Sequence, residues 1–187
     1  PSTATIMYGH VDEPKHWAAH IALLREIQKD TGGFTELVPL SFVHTDSPLF
    51  LNNPNSVRPG PTDHEVDLMH SVSRIMLNGF IDNIQVSWTK LGAERARNML
   101  SLGVNDLGGT LMNESISRSA GSKHGQEITA AELCEIIRSA GRTPVRRNTL
   151  YKTIDIFKDH DPIDVIPLVE RKSDPLNFLK MFPETEA

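Results

Sequence analysis

Strand-like and helix-like segments alternate along this chain, and that alternation constrains the fold more than any other feature. Four short segments have strand character: TATIMYG (3–9), FTELVPLSF (34–42), NIQVSW (83–88) and NDLGGTL (105–111). The helical stretches between them carry start and stop signals. Asp12 and Pro14 open a helix in which Trp17, Ile21 and Leu24 share one face, and Gly32–Gly33 closes it. Thr62 and Glu65 form a capping box before a stripe of Val66, Met69, Val72 and Met76 that ends at Gly79. Ala93, Ala96 and Leu100 line a shorter helix that stops at Gly103. Thr129 and Glu132 form a second capping box, followed by Leu133, Ile136, Ile137, Ala140 and then Gly141. Alternation of this kind predicts an α/β fold, with about four parallel strands, right-handed crossovers and covering helices. After Tyr151 the pattern dissolves into a segment rich in proline and charge. The expected division is therefore a body over 1–151 and an extension over 152–187.

Polarity within the strands says which face looks where. Helices covering a parallel sheet demand an apolar face beneath them, so polar strand residues point the other way. NIQVSWT sets Ile84, Val86 and Trp88 against Gln85, Ser87 and Thr89. TATIMYG separates Ile6 and Tyr8 from Thr5 and Met7, and NDLGGTL separates Leu107 and Leu111 from Asp106 and Thr110. In FTELVPL, Glu36 opposes Leu37, although Val38 and Leu40 share its parity. Thr5, Glu36, Gln85, Ser87 and Thr110 are thus expected to share one interior. The alternative is that Glu36 and Gln85 are edge residues facing solvent.

The run NDLGGTLMNESISRSAG (105–121) carries more chemistry than a turn needs. Gly108 and Gly109 interrupt a strand and allow a ligand or neighbouring backbone to approach closely. Asn113 is placed to cap a short helix through ESISRSAG, whose N-terminus would favour an anion. Glu114 and Arg118 lie four apart and are expected either to pair with each other or to serve a ligand.

Composition excludes several classes. The net charge of −5 argues against a nucleic-acid partner, and Arg142, Arg146 and Arg147 read as a solvated segment. A hydrophobic fraction of 39% and a charged fraction of 23% are those of a soluble globular protein, and no apolar run approaches a membrane span. One cysteine, Cys134, rules out an intramolecular disulfide framework and suits a reducing compartment, so the cytoplasm is expected.

The runs TATIMYGHVDEPKHW, TGGFTELVPLSFVH, RPGPT, NIQVSWTKLG, NDLGGTLMNESISRSAG and GRTPVRRNTLY occur in this order over roughly Thr3 to Tyr151. Together they closely resemble the C-terminal half of the tyrosine-dependent subunit or domain of 7,8-didemethyl-8-hydroxy-5-deazariboflavin (Fo) synthase, a radical S-adenosylmethionine enzyme. The chain is also similar to radical enzymes of the menaquinone (futalosine) route. RPGPT and NDLGGTLMNESISR favour the deazaflavin branch.

The resemblance implies the C-terminal half of a (β/α)8 TIM-type barrel. It further implies a 4Fe-4S cluster that cleaves S-adenosyl-L-methionine, giving a radical that breaks the Cα–Cβ bond of L-tyrosine. The hydroxybenzyl fragment then joins 5-amino-6-(D-ribitylamino)uracil, and a ring-closing Fo synthase subunit or domain completes the product. Residues expected to contact substrate or S-adenosylmethionine are Thr5, Met7, His10, Glu36, His44, Gln85, Ser87, Thr110, Asn113, Glu114 and Arg118.

One departure from the family pattern limits the carry-over. The family holds its cluster through a CxxxCxxC loop, and Cys134 stands alone at a core-like position in AELCEIIRSAG. The chain is therefore expected to lack metal ligands, to be inactive by itself, and to need a missing N-terminal half-barrel as partner; PSTATIMYG reads as mid-strand context. His16 and His20, at i and i+4, lack the glutamate and third ligand of a zinc motif and are expected to be solvated. Two rival readings remain: a smaller phosphate-binding module using the Gly108–Arg118 loop, and a non-catalytic half-barrel that only pairs with a partner chain. The upstream coding sequence discriminates among all three.

Overall fold

The computed structural model describes residues 1–111, 113–125, 127–158 and 161–162. In chain order its elements are β1 (Ser2–Tyr8), α1 (Pro14–Thr31), β2 (Phe34–Ser41), α2 (Pro48–Asn52), α3 (Asp63–Leu77) and α4 (Trp88–Leu91). These are followed by α5 (Ala93–Met99), α6 (Ile116–Ser119), α7 (Ala130–Ser139), β3 (Val145–Arg147) and β4 (Thr153–Ile156). The fold is mixed α/β. Among the described residues no helix is long and apolar enough to cross a membrane.

β1 and β2 pair in parallel, with Thr3 opposite Glu36, Thr5 opposite Val38 and Met7 opposite Leu40. Beyond β2 the parallel order continues only as single bridges, Leu37 to Ile84 and Gln85 to Asp106. The backbone bonds from Leu37 N–H to Asn83 O (2.9 Å), from Gln85 N–H to Leu37 O (2.9 Å) and from Val86 N–H to Asp106 O (3.0 Å) carry it. The full strands expected over 83–88 and 105–111 are therefore cut short. A helical turn begins at Trp88, and Gly108 at φ 73° turns the chain out of extended geometry.

One face of this arrangement is closed. Ala4, Ile6, Tyr8, Leu37, Ile84 and Val86 are buried in one cluster with Trp17, Ile21 and Leu24 of α1 and with Val66, Met69 and Leu77 of α3. Trp88 and Leu107 also belong to this core, as the strand polarity required. The other face is open: Thr3, Thr5 and Met7 are exposed.

Local signals explain the helices, with two corrections. Both capping boxes form: Glu65 N–H donates to Thr62 Oγ1 (3.3 Å) and Glu132 N–H to Thr129 Oγ1 (3.2 Å). The N-cap of α1 is Glu13 rather than Asp12, because the Asp12 carboxylate is engaged by the preceding turn. On α3 the buried face is Val66, Met69, His70, Ser73 and Leu77; of the expected stripe, Met76 packs partly buried against the core while Val72 is exposed. Two polar residues sit on that face because each finds a partner within the helix. His70 Nδ1 lies 2.8 Å from Val66 O, and Ser73 Oγ contacts Met69 Sδ at 3.9 Å. Past α7, β3 and β4 form an antiparallel hairpin on either side of Tyr151, so the expected extension begins with a strand, and its residues 159–160 and 163–187 lie outside the described ones.

His70 gives the fold a pH dependence. Burial pushes its imidazole below the ordinary 6.5, while its bond to Val66 O opposes the shift. The unfolded chain takes up a proton near 6.5 that the folded chain refuses, so this group's contribution to stability is complete above that pH and falls as pH drops through it. Melting temperatures of wild type and His70→Gln, compared from pH 8 to pH 5, are expected to converge on the acid side. A wild-type loss no steeper than the variant's would contradict this.

Candidate functional site

The loops leaving the carboxyl ends of the strands meet one another. β1 runs into Gly9, whose φ of 91° suits glycine and where an added Cβ would stand 2.4 Å from Pro61. The Asp12 carboxylate folds this turn, accepting the N–H groups of Gly9 (3.0 Å) and His10 (2.8 Å) and the indole N–H of Trp17. Burial alone would raise the Asp12 pKa, but these donors hold it below the usual carboxylate range. His10 Nδ1 lies 3.1 Å from Asp12 Oδ1, and its ring meets Phe42 edge-on at 5.7 Å. Arg58 N–H donates to His10 O at 2.9 Å, while the Arg58 guanidinium pairs with Glu65 of the α3 cap. After β2, His44 packs edge-on against Phe50 at 4.9 Å, and Asp46 N–H donates to Ala120 O at 3.0 Å.

The 113–121 loop is organised differently from the sequence expectation. Asn113 does not cap a helix: its φ is 61°, and the residue at the N-cap of α6 is Ser115. The first turn is held instead by Glu114, whose carboxylate accepts Ser117 N–H at 3.0 and 3.2 Å. Arg118 does not pair with the Glu114 carboxylate. It donates to Glu114 O at 2.7 Å and to Asn113 Oδ1 at 2.6 Å. α6 is a single turn, so little helix dipole stands behind it. Lys90, which the sequence reading passed over, reaches from α4 to Ser117 Oγ at 3.3 Å. Only its position three residues past the polar strand residue Ser87 could have marked it.

At the amino end of the strands lies a second polar cluster. Glu36 Oε1 accepts Thr3 Oγ1–H at 2.8 Å, and its other oxygen accepts the phenol of Tyr151. Arg147 donates to both Asp106 oxygens at 2.5 and 3.0 Å, lies 3.8 Å from Glu36, and stacks 3.9 Å over the Tyr151 ring. The Tyr151 pKa is raised, chiefly by burial and then by the bond to Glu36, so the phenol keeps its proton.

The family described as "CofH/MqnC C-terminal region" matches residues 31–160. This chain belongs to that family. It is 56% identical over 150 residues to the FO synthase of Mycobacterium leprae, covering 80% of this chain and 17% of that protein. Against the FO synthase of Nocardia farcinica it is 52% identical over 167 residues, 89% of this chain and 19% of that one. The 5-amino-6-(D-ribitylamino)uracil--L-tyrosine 4-hydroxyphenyl transferase of Methanopyrus kandleri is 50% identical over 157 residues, 84% of this chain and 42% of its own length. The chain thus spans less than half of each of these relatives.

The expected contact residues fall into three groups, with Glu36 separate from all of them. His10, His44, Asn113, Glu114 and Arg118 gather around the carboxyl-end loops, joined by the Asp46–Ala120 bond. Thr5 and Met7 lie exposed on the open face, in register with Val38 and Leu40 rather than with polar residues. Gln85, Ser87 and Thr110 line an open cavity of about 1580 Å³ that also takes in Asp106, Cys134 and Arg147. The carboxyl-end group does not line that cavity. Glu36 stands apart, in the amino-end cluster.

A 4Fe-4S cluster does not fit the residues present. Such a cluster with one iron left open requires three thiolates, and Cys134 is the chain's only cysteine and is buried. Among the described residues no group of three or more His, Cys, Asp or Glu side chains is placed to hold a metal. The amino-end cluster has a direct test. Tyr151→Phe keeps the ring over Arg147 but removes the donor to Glu36, and is expected to cost about 1.5–3 kcal/mol in chemical denaturation. A change within about 0.5 kcal/mol would mean that the bond contributes nothing net.

Proposed function

We propose that this chain is the carboxyl-terminal part of an Fo synthase-type transferase acting on L-tyrosine and 5-amino-6-(D-ribitylamino)uracil. The observation that carries this is the 50% identity over 157 residues to a protein bearing that transferase's name. The parallel order from β1 through β2 to Ile84 and Asp106, with helices over one face, supports reading the segment as half of a (β/α)8 barrel. In such a barrel ligands sit at the carboxyl ends of the strands, which is where His10, His44, Asn113, Glu114 and Arg118 gather. Thr5, Met7, Gln85, Ser87 and Thr110 would face the reactants from the open side, and Glu36 would act from the amino end.

The complete protein is proposed to use a 4Fe-4S cluster and S-adenosyl-L-methionine. Because no residue here can hold the cluster, bond cleavage is assigned to none of this chain's side chains. Their part is to bind, orient and exclude water. The cluster-bearing half-barrel and the ring-closing module are the proposed partners, and the single cysteine fits a cytoplasmic protein.

The complete protein containing this chain, assayed anaerobically with L-tyrosine, the aminouracil and S-adenosylmethionine, is expected to consume tyrosine and form the coupled product, detected by mass spectrometry. A protein that assembles its cluster and cleaves S-adenosylmethionine yet leaves tyrosine intact would overturn the reading. This chain alone, after anaerobic reconstitution with iron and sulfide, is expected to show neither stoichiometric cluster absorbance nor 5′-deoxyadenosine.

A further inference from the structure

The cations around the carboxyl-end loops are not all neutralised. Arg58 is paired with Glu65. Lys90 and Arg118, by contrast, reach only neutral acceptors among the described residues: Ser117 Oγ for Lys90, and Glu114 O and Asn113 Oδ1 for Arg118. Lys90 is half-buried, and burial lowers its pKa, while the Glu114 charge pulls the other way from beyond ion-pair distance. That carboxylate is turned toward Ser117 N–H. An ammonium group has three N–H donors, and among the described residues this one makes a single long bond of 3.3 Å. Ser117 is 4% exposed, and its hydroxyl accepts from Lys90. Its O–H proton has no acceptor among the described residues, so an oxyanion at this place could take both that proton and a Lys90 N–H.

We propose that Lys90 and Ser117 bind the carboxylate of an α-amino acid at the carboxyl end of the sheet. The inference rests on the functional reading above, which supplies the ligand class. Of the two molecules to be joined, the ribitylaminouracil has no acid group and tyrosine has a carboxylate. A phosphate dianion suits the place less well, because Glu114 would repel its second charge. S-adenosylmethionine carries the same α-amino-acid group, so the two sources share one chemistry.

Equilibrium dialysis of the complete protein distinguishes them. The pairs to compare are L-tyrosine with tyramine, and S-adenosylmethionine with its decarboxylated form, in wild type, Lys90→Gln and Lys90→Arg. Lys90→Gln is expected to weaken one carboxylate ligand at least tenfold, leave the matching amine within twofold, and be rescued largely by Lys90→Arg; which pair responds names the source. Unchanged affinities, or equal loss for acid and amine, would overturn the assignment while leaving the transferase reading standing. A wild-type protein that binds neither acid would overturn both. Circular dichroism and melting curves matched to wild type show that any loss is local.

Discussion

Every residue in the short parallel strands must face one of two environments, and that choice organises the rest of the molecule. Ala4, Ile6, Tyr8, Leu37, Ile84 and Val86 take the side beneath α1 and α3. Burying apolar side chains is the dominant favourable contribution to folding, at roughly 25 cal/mol per Å² removed from water. Because strand side chains alternate, filling one face fixes what the other presents. By alternation Thr3, Thr5, Glu36, Gln85 and Asp106 fall on the opposite face. The polar clusters at the two ends of the strands are built from this second face and from the loops that continue it.

The two ends solve different problems. At the amino end, two carboxylates, one guanidinium and a phenol are bound to one another, so the charges there are largely spoken for. At the carboxyl end, backbone does much of the holding, as at Asp12, Glu114 and Asp46. Side chains such as Lys90 and Arg118 are left with neutral partners. A saturated cluster suits anchoring, whereas an unsaturated one suits a visiting ligand.

Much of this was legible in the residues. Both Thr–Glu capping boxes are local signals, needing only four residues in a row, and they formed as read. The two faces of the strands followed from alternation. Strand lengths did not, since where a ladder stops depends on the turn at Trp88 and on Gly108, not on apolar pattern. The buried face of α3 was missed because His70 and Ser73 read as polar, yet each turns one polar atom to the residue four before it. Cooperation between distant positions was the hardest to see. Nothing near Glu36 in sequence announces Tyr151, and nothing near Ser117 announces Lys90. Such pairs exist only once the backbone has brought them together. Asn113 misled for a related reason: a good capping residue followed by a helical turn was close to the right pattern, but Glu114 performs the task.

The bond between Glu36 and Tyr151 joins residues 115 positions apart. During synthesis β2 leaves the ribosome long before its partner is made. At roughly 5–20 residues per second, the Glu36 carboxylate waits on the order of ten seconds for the phenol that will bind it. Closing a loop of that length also carries a large entropy cost before the contact forms. The amino end of the sheet is therefore locked late in biosynthetic time. Until then its open face is available to whatever chain lies beside it.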